Sequence, residues 1–209
     1  MIIAVDGPTA SGKGTIARAL AAHFRLPHLD TGLLYRAVGF EVRERGGDPD
    51  DPADALAACN FAEELLGHPE LRSEASGGLA SRVSIHPAVR DALFARQRLF
   101  ATQPGGAVLD GRDIGTVIAP DADVKLYVTA SVAERAARRF AEMRAAEREV
   151  TLEEIVAQLE RRDARDMGRE DAPLAVAADA YVLDTTELDR AAAIAAAIGV
   201  VEAAAKDQP

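Results

Sequence analysis

Two stretches of this 209-residue chain combine residue types that could do chemistry. The first is Gly7-Pro8-Thr9-Ala10-Ser11-Gly12-Lys13-Gly14-Thr15, which follows the run Ile2-Ile3-Ala4-Val5-Asp6. Glycines at 7, 12 and 14 allow turns that a Cβ would block, so successive backbone amides can point at one anion. A helix beginning there would aim its unpaired N–H groups and its dipole at the same charge. Lys13 adds a mobile cation able to reach terminal phosphates. The common pattern places a hydroxyl directly after the lysine; here Gly14 takes that place and Thr15 follows. The plainer reading is a glycine-rich turn with a surface lysine. The strand before, the helix after and the position at the start of the chain favour a nucleotide-phosphate loop.

The second stretch opens with Thr151-Leu152-Glu153-Glu154, a capping box that starts a helix. Leu152, Ile155 and Leu159 form its apolar face, and the same spacing continues to Arg162, Asp166 and Arg169. A core position would favour leucine by roughly 1.5–3 kcal/mol, whereas an unpaired buried charge costs several. These three therefore face solvent, as one side of a projecting helix, or a polar ligand, as the end of a flap. Arg135, Arg138 and Arg139 on the preceding helix favour a flap that closes on a triphosphate, with Arg161 and Arg165 solvated.

The elements that must position these groups alternate. Ile16, Leu20 and Phe24 mark a helix after the loop, and Leu26 to Leu29 a short strand ending in Asp30-Thr31-Gly32. A helix over about 33–45 carries Tyr35 and Arg36 in its first turn. A looser helical region of about 46–84 follows, interrupted at Gly77-Gly78. His86-Pro87 starts a further helix with Val89, Leu93, Leu99 and Phe100 on its apolar side. Strands at 107–109, 124–128 and 181–183 complete the pattern, and a last helix places Ile194, Ile198 and Val201 on one side. Such alternation predicts an α/β fold with a parallel sheet covered on both faces. Ligands of such sheets sit beyond the carboxyl ends of the strands, where the clusters at Asp6, Asp30 and Asp110 are expected to form one site.

Composition sets the remaining bounds. A net charge of −10 argues against general nucleic-acid or membrane binding, though not against a small anion at a local basic cluster. Lysine occurs only at 13, 125 and 206, so most of the many arginines reflect a compositional bias toward arginine and alanine. The lone Cys59 excludes an internal disulfide or a multi-cysteine metal site. The apolar run Ala191–Val201 is too short to span a bilayer, and no signal peptide is expected before the first strand. A cytoplasmic monomer is expected.

Five stretches together resemble the bacterial cytidylate kinase family: the loop 7–15, Asp30-Thr31-Gly32-Leu33-Leu34-Tyr35-Arg36, Ala80-Ser81-Arg82-Val83-Ser84, Gly111-Arg112-Asp113-Ile114-Gly115-Thr116 and Arg162-Asp163-Ala164-Arg165-Asp166. They run in order along nearly the whole chain. The loop is common to nucleoside-monophosphate kinases; the 80–84 and 111–116 runs single out the cytidylate branch.

The resemblance implies one P-loop domain, 1–209, with a five-stranded parallel sheet, an insert at about 46–84 and a lid at about 139–172. It implies transfer of the γ-phosphoryl group of ATP to CMP or dCMP, with Gly7, Pro8, Thr9, Ala10, Ser11, Gly12, Lys13, Gly14 and Thr15 on ATP. Arg36 and Arg112 would hold the acceptor phosphate, with Asp30, Thr31 and Tyr35 beside it. Ser81, Arg90, Asp113 and Arg169 would read cytosine, and Arg162 and Asp166 the ribose. Lys13, Arg112 and Arg139 would stabilise the transferring group. Asp110 would orient Mg²⁺ through water, with Thr15 a further candidate. The family's insert usually carries a small sheet, whereas Gly67-His68-Pro69-Glu70-Leu71-Arg72-Ser73-Glu74 follows a helix directly, so this insert reads as shortened. Two alternatives stand beside this reading: another P-loop kinase with AMP, UMP or shikimate as acceptor, and an ATP-dependent switch without transfer.

Overall fold

The computed structural model describes residues 1–145 and 149–206. Residues 146–148, inside the expected lid, and residues 207–209 lie outside the described residues. Five strands, β1 (Ile2–Asp6), β2 (His28–Asp30), β3 (Ala107–Gly111), β4 (Val124–Thr129) and β5 (Tyr181–Asp184), form one sheet in the order β2-β3-β1-β4-β5. The sheet is all-parallel, with Asp6 of β1 in register with Gly111 of β3 and Tyr127 of β4. The helices are α1 (Lys13–Phe24), α2 (Thr31–Glu44), α3 (Pro52–Ala57), α4 (Glu74–Val83), α5 (Pro87–Ala101), α6 (Val132–Ala145), α7 (Leu152–Met167) and α8 (Arg190–Lys206). The chain divides into two compact units, residues 1–29 with 101–209, and residues 30–100.

In the larger unit β1 is central and fully apolar until Asp6, as a strand with neighbours on both edges requires. Ile3 and Val5 meet Ile16, Leu20 and Ala21 of α1 and Ala193, Ala197 and Val201 of α8 in one core. The closing helix therefore buries its alanine line, while Ile194 and Ile198 pack only partly against the core. Small side chains let the helix approach the sheet closely, and the larger isoleucines flank that line. Helices α6 and α7 share a separate core of Ala136, Met143, Ile155 and Leu159. The capping box at Thr151 forms as expected, but Leu152, in the first turn, is exposed.

The smaller unit is helical throughout, with short 3₁₀ turns at Glu63–Gly67 and Pro69–Arg72 and no strand between β2 and β3. It takes in the expected insert and extends beyond it at both ends. Local caps explain why helices form: the Asp51 carboxylate accepts from the amides of Ala53 and Asp54, and Ser73 accepts from Ser76. The Gly77-Gly78 pair does not interrupt α4, which runs straight through it. Close packing explains the helix: a Cβ at Gly39 of α2 would lie 2.7 Å from the Leu79 Cβ of α4. On α5 the buried line is Val89, Leu93 and Gln97, and Leu99 is 72% exposed rather than apolar-side.

Candidate active site

The loop between β1 and α1 has the geometry its glycines suggest. Gly7 passes so close to β4 that a Cβ would overlap the Val128 carbonyl. Gly12 turns through a left-handed conformation and α1 begins at Lys13, so the first amides of that helix open onto the loop. Ala10 also has φ 63°, which costs a residue with a Cβ roughly 1–2 kcal/mol. No sequence signal marks this, because alanine carries none of glycine's freedom. Pro8 and Ser11 are buried, Thr9, Gly14 and Thr15 are half-buried, and Lys13 Nζ donates to the Pro8 carbonyl at 3.2 Å.

The loop is braced from three directions. Arg112 Nη2 donates to Thr9 Oγ1 at 2.7 Å, and Arg135 Nη1 donates to the Thr9 carbonyl at 3.1 Å. The buried Thr185 hydroxyl reaches the Ser11 carbonyl at 3.2 Å and accepts from Arg138 Nη1 at 3.0 Å. Thr185 was not among the expected site residues; it lies one residue beyond β5, in a run without a distinctive sequence pattern.

Two carboxylates close the adjacent strands β1 and β3. Asp6 accepts from the amides of Ile114 and Gly115 at 2.9 and 2.8 Å. Burial outweighs these bonds and the nearby Arg112, and lifts the carboxyl from 3.8 to about 7. Asp110, also buried, has Oδ1 at 2.7 Å from His28 Nε2. Its Oδ2 would lie 3.5 Å from a Cβ at Gly14, so this carboxylate faces the first turn of α1. His28 was missed, since a histidine two residues before Asp30 carries no sign of a partner 82 positions away. Asp30 ends β2 and occupies the cap position of α2 without a side-chain capping bond.

At the end of α7 the charged stripe turns inward. Asp166 is buried, Arg162 and Arg169 are half-buried, and Arg112 Nε donates to Asp166 Oδ2 at 2.8 Å. Burial opposes the Asp166 charge, but Arg112, Arg162 and Arg169 together hold its carboxyl below the ordinary range. Arg112 is correspondingly held charged: burial works against it, and Asp166, Asp110 and Asp6 more than offset the loss. Asp113, buried, is the residue at which the single π turn Ile114–Ile118 begins. The structure thus gathers Arg112, Asp166, Arg162 and Arg169 in one cluster that touches the β1–α1 loop through Thr9.

The arginines expected on the flap are only partly available to a ligand. Arg135 is buried and pairs with Asp163 at 2.6 Å, tying α6 to α7. Arg138 is held by Glu134, by Thr185 and by the Leu188 carbonyl. Internal pairing occupies these two in the structure. Arg139 is ion-paired with Glu142 at 3.1 Å on the same helix, and Arg161 and Arg165 are exposed. Asp163 was missed although it lies four residues beyond Leu159, an equally good continuation of the buried face.

In the smaller unit Arg36 Nη1 donates to the carbonyls of Leu71 and Ser73 at 2.8 and 2.7 Å, which fixes the guanidinium. Thr31 is buried at the start of α2, and Ser81 of α4 and Arg90 of α5 are 3% and 6% exposed. The Arg90 guanidinium stands 5.9 Å from the centre of the Tyr35 ring.

Among the described residues no helix is long and apolar enough to cross a membrane, and no three His, Cys, Asp or Glu side chains cluster to hold a metal ion. Two solved proteins share the fold. One from Eubacterium ventriosum has a TM-score of 0.55 at 14% identity, covering 97% of this chain and 98% of that one. Another from Thermus thermophilus has 0.50 at 21%, covering 97% and 96%. The sequence relationships are closer. A cytidylate kinase of Nitrobacter winogradskyi is 53% identical over 203 residues, 97% of this chain and 96% of that protein. One of Cereibacter sphaeroides is 56% identical over 200 residues, 96% and 94%. The family model described as cytidylate kinase matches residues 3–203, and with these relatives it shows that the chain belongs to the cytidylate kinase family.

Proposed function

We propose that this protein transfers the γ-phosphoryl group of ATP to CMP or dCMP, giving ADP and CDP or dCDP. The observation that carries the reading is Arg112, which donates at once to Thr9 of the phosphate loop and to Asp166 of α7. A cationic cluster beside a phosphate loop suits an acceptor phosphate next to a donor phosphate. A nucleotide switch has no use for a second anion site.

Phosphoryl transfer asks for in-line positioning and charge neutralisation more than for covalent help. Loop amides and the start of α1 would hold the donor phosphates, Lys13 their terminal charge, and Arg112 and Arg36 the acceptor phosphate. Arg139, released from Glu142, would add charge to the transferring group. The acceptor phosphate is itself the anionic nucleophile, so no side chain has to remove a proton. Asp30, Thr31 and Tyr35 would line the acceptor, and Arg162 and Asp166 would hold its ribose.

The base is read by Asp113, Ser81, Arg90 and Arg169. A carboxylate accepts from the exocyclic amine of cytosine, while hydroxyl and guanidinium groups donate to O2 and N3. Uracil would set its own O4 against Asp113, which gives discrimination against UMP.

Mg²⁺ fits the residues present. Asp110 offers one buried carboxylate facing Gly14, with Thr15 one residue on, and such a site suits an ion held mainly by ATP phosphates. When bound, the ion would neutralise phosphate charge; Asp110, steadied by His28, would orient it through water. Residues of about 139–172 serve as the lid, residues of about 46–84 as the insert, and the protein works as a cytoplasmic monomer.

A coupled ADP-release assay across CMP, dCMP, UMP, AMP and shikimate tests the reading. CMP and dCMP should give the highest kcat/KM by a wide margin; no CMP preference would overturn it.

A further inference from the structure

The segment that carries both Arg112 and Asp113 is not held by a regular helix. After β3 ends at Gly111, the chain makes one π turn over Ile114–Ile118, in which the amides of Val117 and Ile118 donate back to the Asp113 carbonyl. The first amides of such a turn have no partner within it. Those of Ile114 and Gly115 are taken up by the two oxygens of one side chain, Asp6 Oδ1 and Oδ2. Asp6 is 5% exposed and ends the central strand, which pairs along both edges, so its backbone is fixed. Gly115 packs closely: a Cβ there would lie 3.1 and 3.3 Å from Lys125 Cδ and Cγ, tighter than an ordinary contact, and 3.4 Å from Asp6 Oδ2.

We infer that Asp6 is a positioning residue for base selection: its two-pronged grip on the Ile114 and Gly115 amides sets the orientation of the adjoining Asp113. Asp6 needs no contact with substrate to do this. Both prongs come from one buried carboxylate on a strand paired along both edges, so the turn has a fixed origin, and the residue just before it inherits that origin. The inference rests on the proposed base-reading role of Asp113.

The test is the ratio of kcat/KM for CMP to that for UMP in four proteins: wild type, Asp113→Ala, Asp6→Asn and Gly115→Ala. Asparagine is isosteric but accepts with one atom only and turns an N–H toward the second amide, so one prong is lost. Gly115→Ala keeps the carboxylate and crowds the turn against Lys125 and Asp6, and serves if Asp6→Asn folds poorly. Asp6→Asn should narrow the CMP/UMP ratio about tenfold, the worth of one hydrogen bond to a charged group, and Gly115→Ala should narrow it in the same direction, both with KM for ATP unchanged. If Asp113→Ala narrows the ratio while both other variants leave it at the wild-type value, the positioning role is wrong. A change confined to KM for ATP would assign Asp6 to the phosphate loop instead and equally overturn it. If Asp113→Ala itself leaves the ratio unchanged, the base-reading role has failed, which is a separate result.

Discussion

Under the proposed function, the loop over residues 7–15 and the charged end of α7 would both hold anionic ligand, and they are built from different materials. The loop works through its backbone: amides at the start of α1, a close approach at Gly7, left-handed turns at Ala10 and Gly12, and Lys13 as the one long cation. The end of α7 works through side chains that neutralise one another, with Arg112 on Asp166 and Arg135 on Asp163. Backbone binding sites repeat from one phosphate protein to another because every chain has the same amides. Side-chain clusters depend on which residues meet, so they can choose a substrate. The loop would thus be indifferent to the acceptor, and the α7 cluster with Asp113 would select it.

The largest effect should come from the loop. Lys13→Ala should lower kcat by about 10²–10³-fold, as removal of one transition-state donor does, and by the same factor for every acceptor, read by steady-state assay. A loss that differs between CMP and UMP would break the contrast.

Two buried carboxylates sharpen it in pH. Asp6, with backbone amides as its bonded partners, has a raised pKa; its contribution to stability is full below pH 3.8 and is lost as pH rises through about 7. Asp166, among three arginines, has a lowered pKa; its contribution is present above the ordinary carboxylate range and is lost as pH falls through the lowered value. In urea unfolding, the stability of Asp6→Asn relative to wild type should therefore climb from pH 3.8 to about 7. That of Asp166→Asn should fall as the wild-type carboxylate ionises. Parallel curves would mean the two sites are electrostatically alike.

Arg112→Ala leaves the buried Asp166 facing only Arg162 and Arg169, and should cost about 3 kcal/mol in the same unfolding experiment. Thr151→Ala, which removes the capping box far from the cluster, should cost about 1 kcal/mol. It should leave the CMP/UMP ratio unchanged.

How much of this was legible in the sequence follows the same division. The parallel sheet, the loop and the Thr151 cap were legible because periodicity, glycine placement and capping are local patterns. The continuation of the α7 stripe into Arg162, Asp166 and Arg169 was legible as an anomaly, but its partner was not. Arg112 lies 54 positions from Asp166, and Arg135 lies 28 from Asp163, distances over which sequence carries no pairing signal. For that reason the internal partners of Arg135 and Arg138 could not be read from the sequence. His28, Thr185 and the left-handed Ala10 were illegible for the same cause: each is defined by what it touches. Gly77-Gly78 read as a break because local propensity says so, whereas the close approach of Leu79 to Gly39 keeps the helix whole.

The most direct test of the division is the CMP/UMP ratio of kcat/KM in Lys13→Ala beside Asp113→Ala. Lys13→Ala should lower both values in proportion and leave the ratio at the wild-type level, while Asp113→Ala should keep much of its turnover and collapse the ratio. A ratio altered by Lys13→Ala, or preserved in Asp113→Ala, would contradict the account.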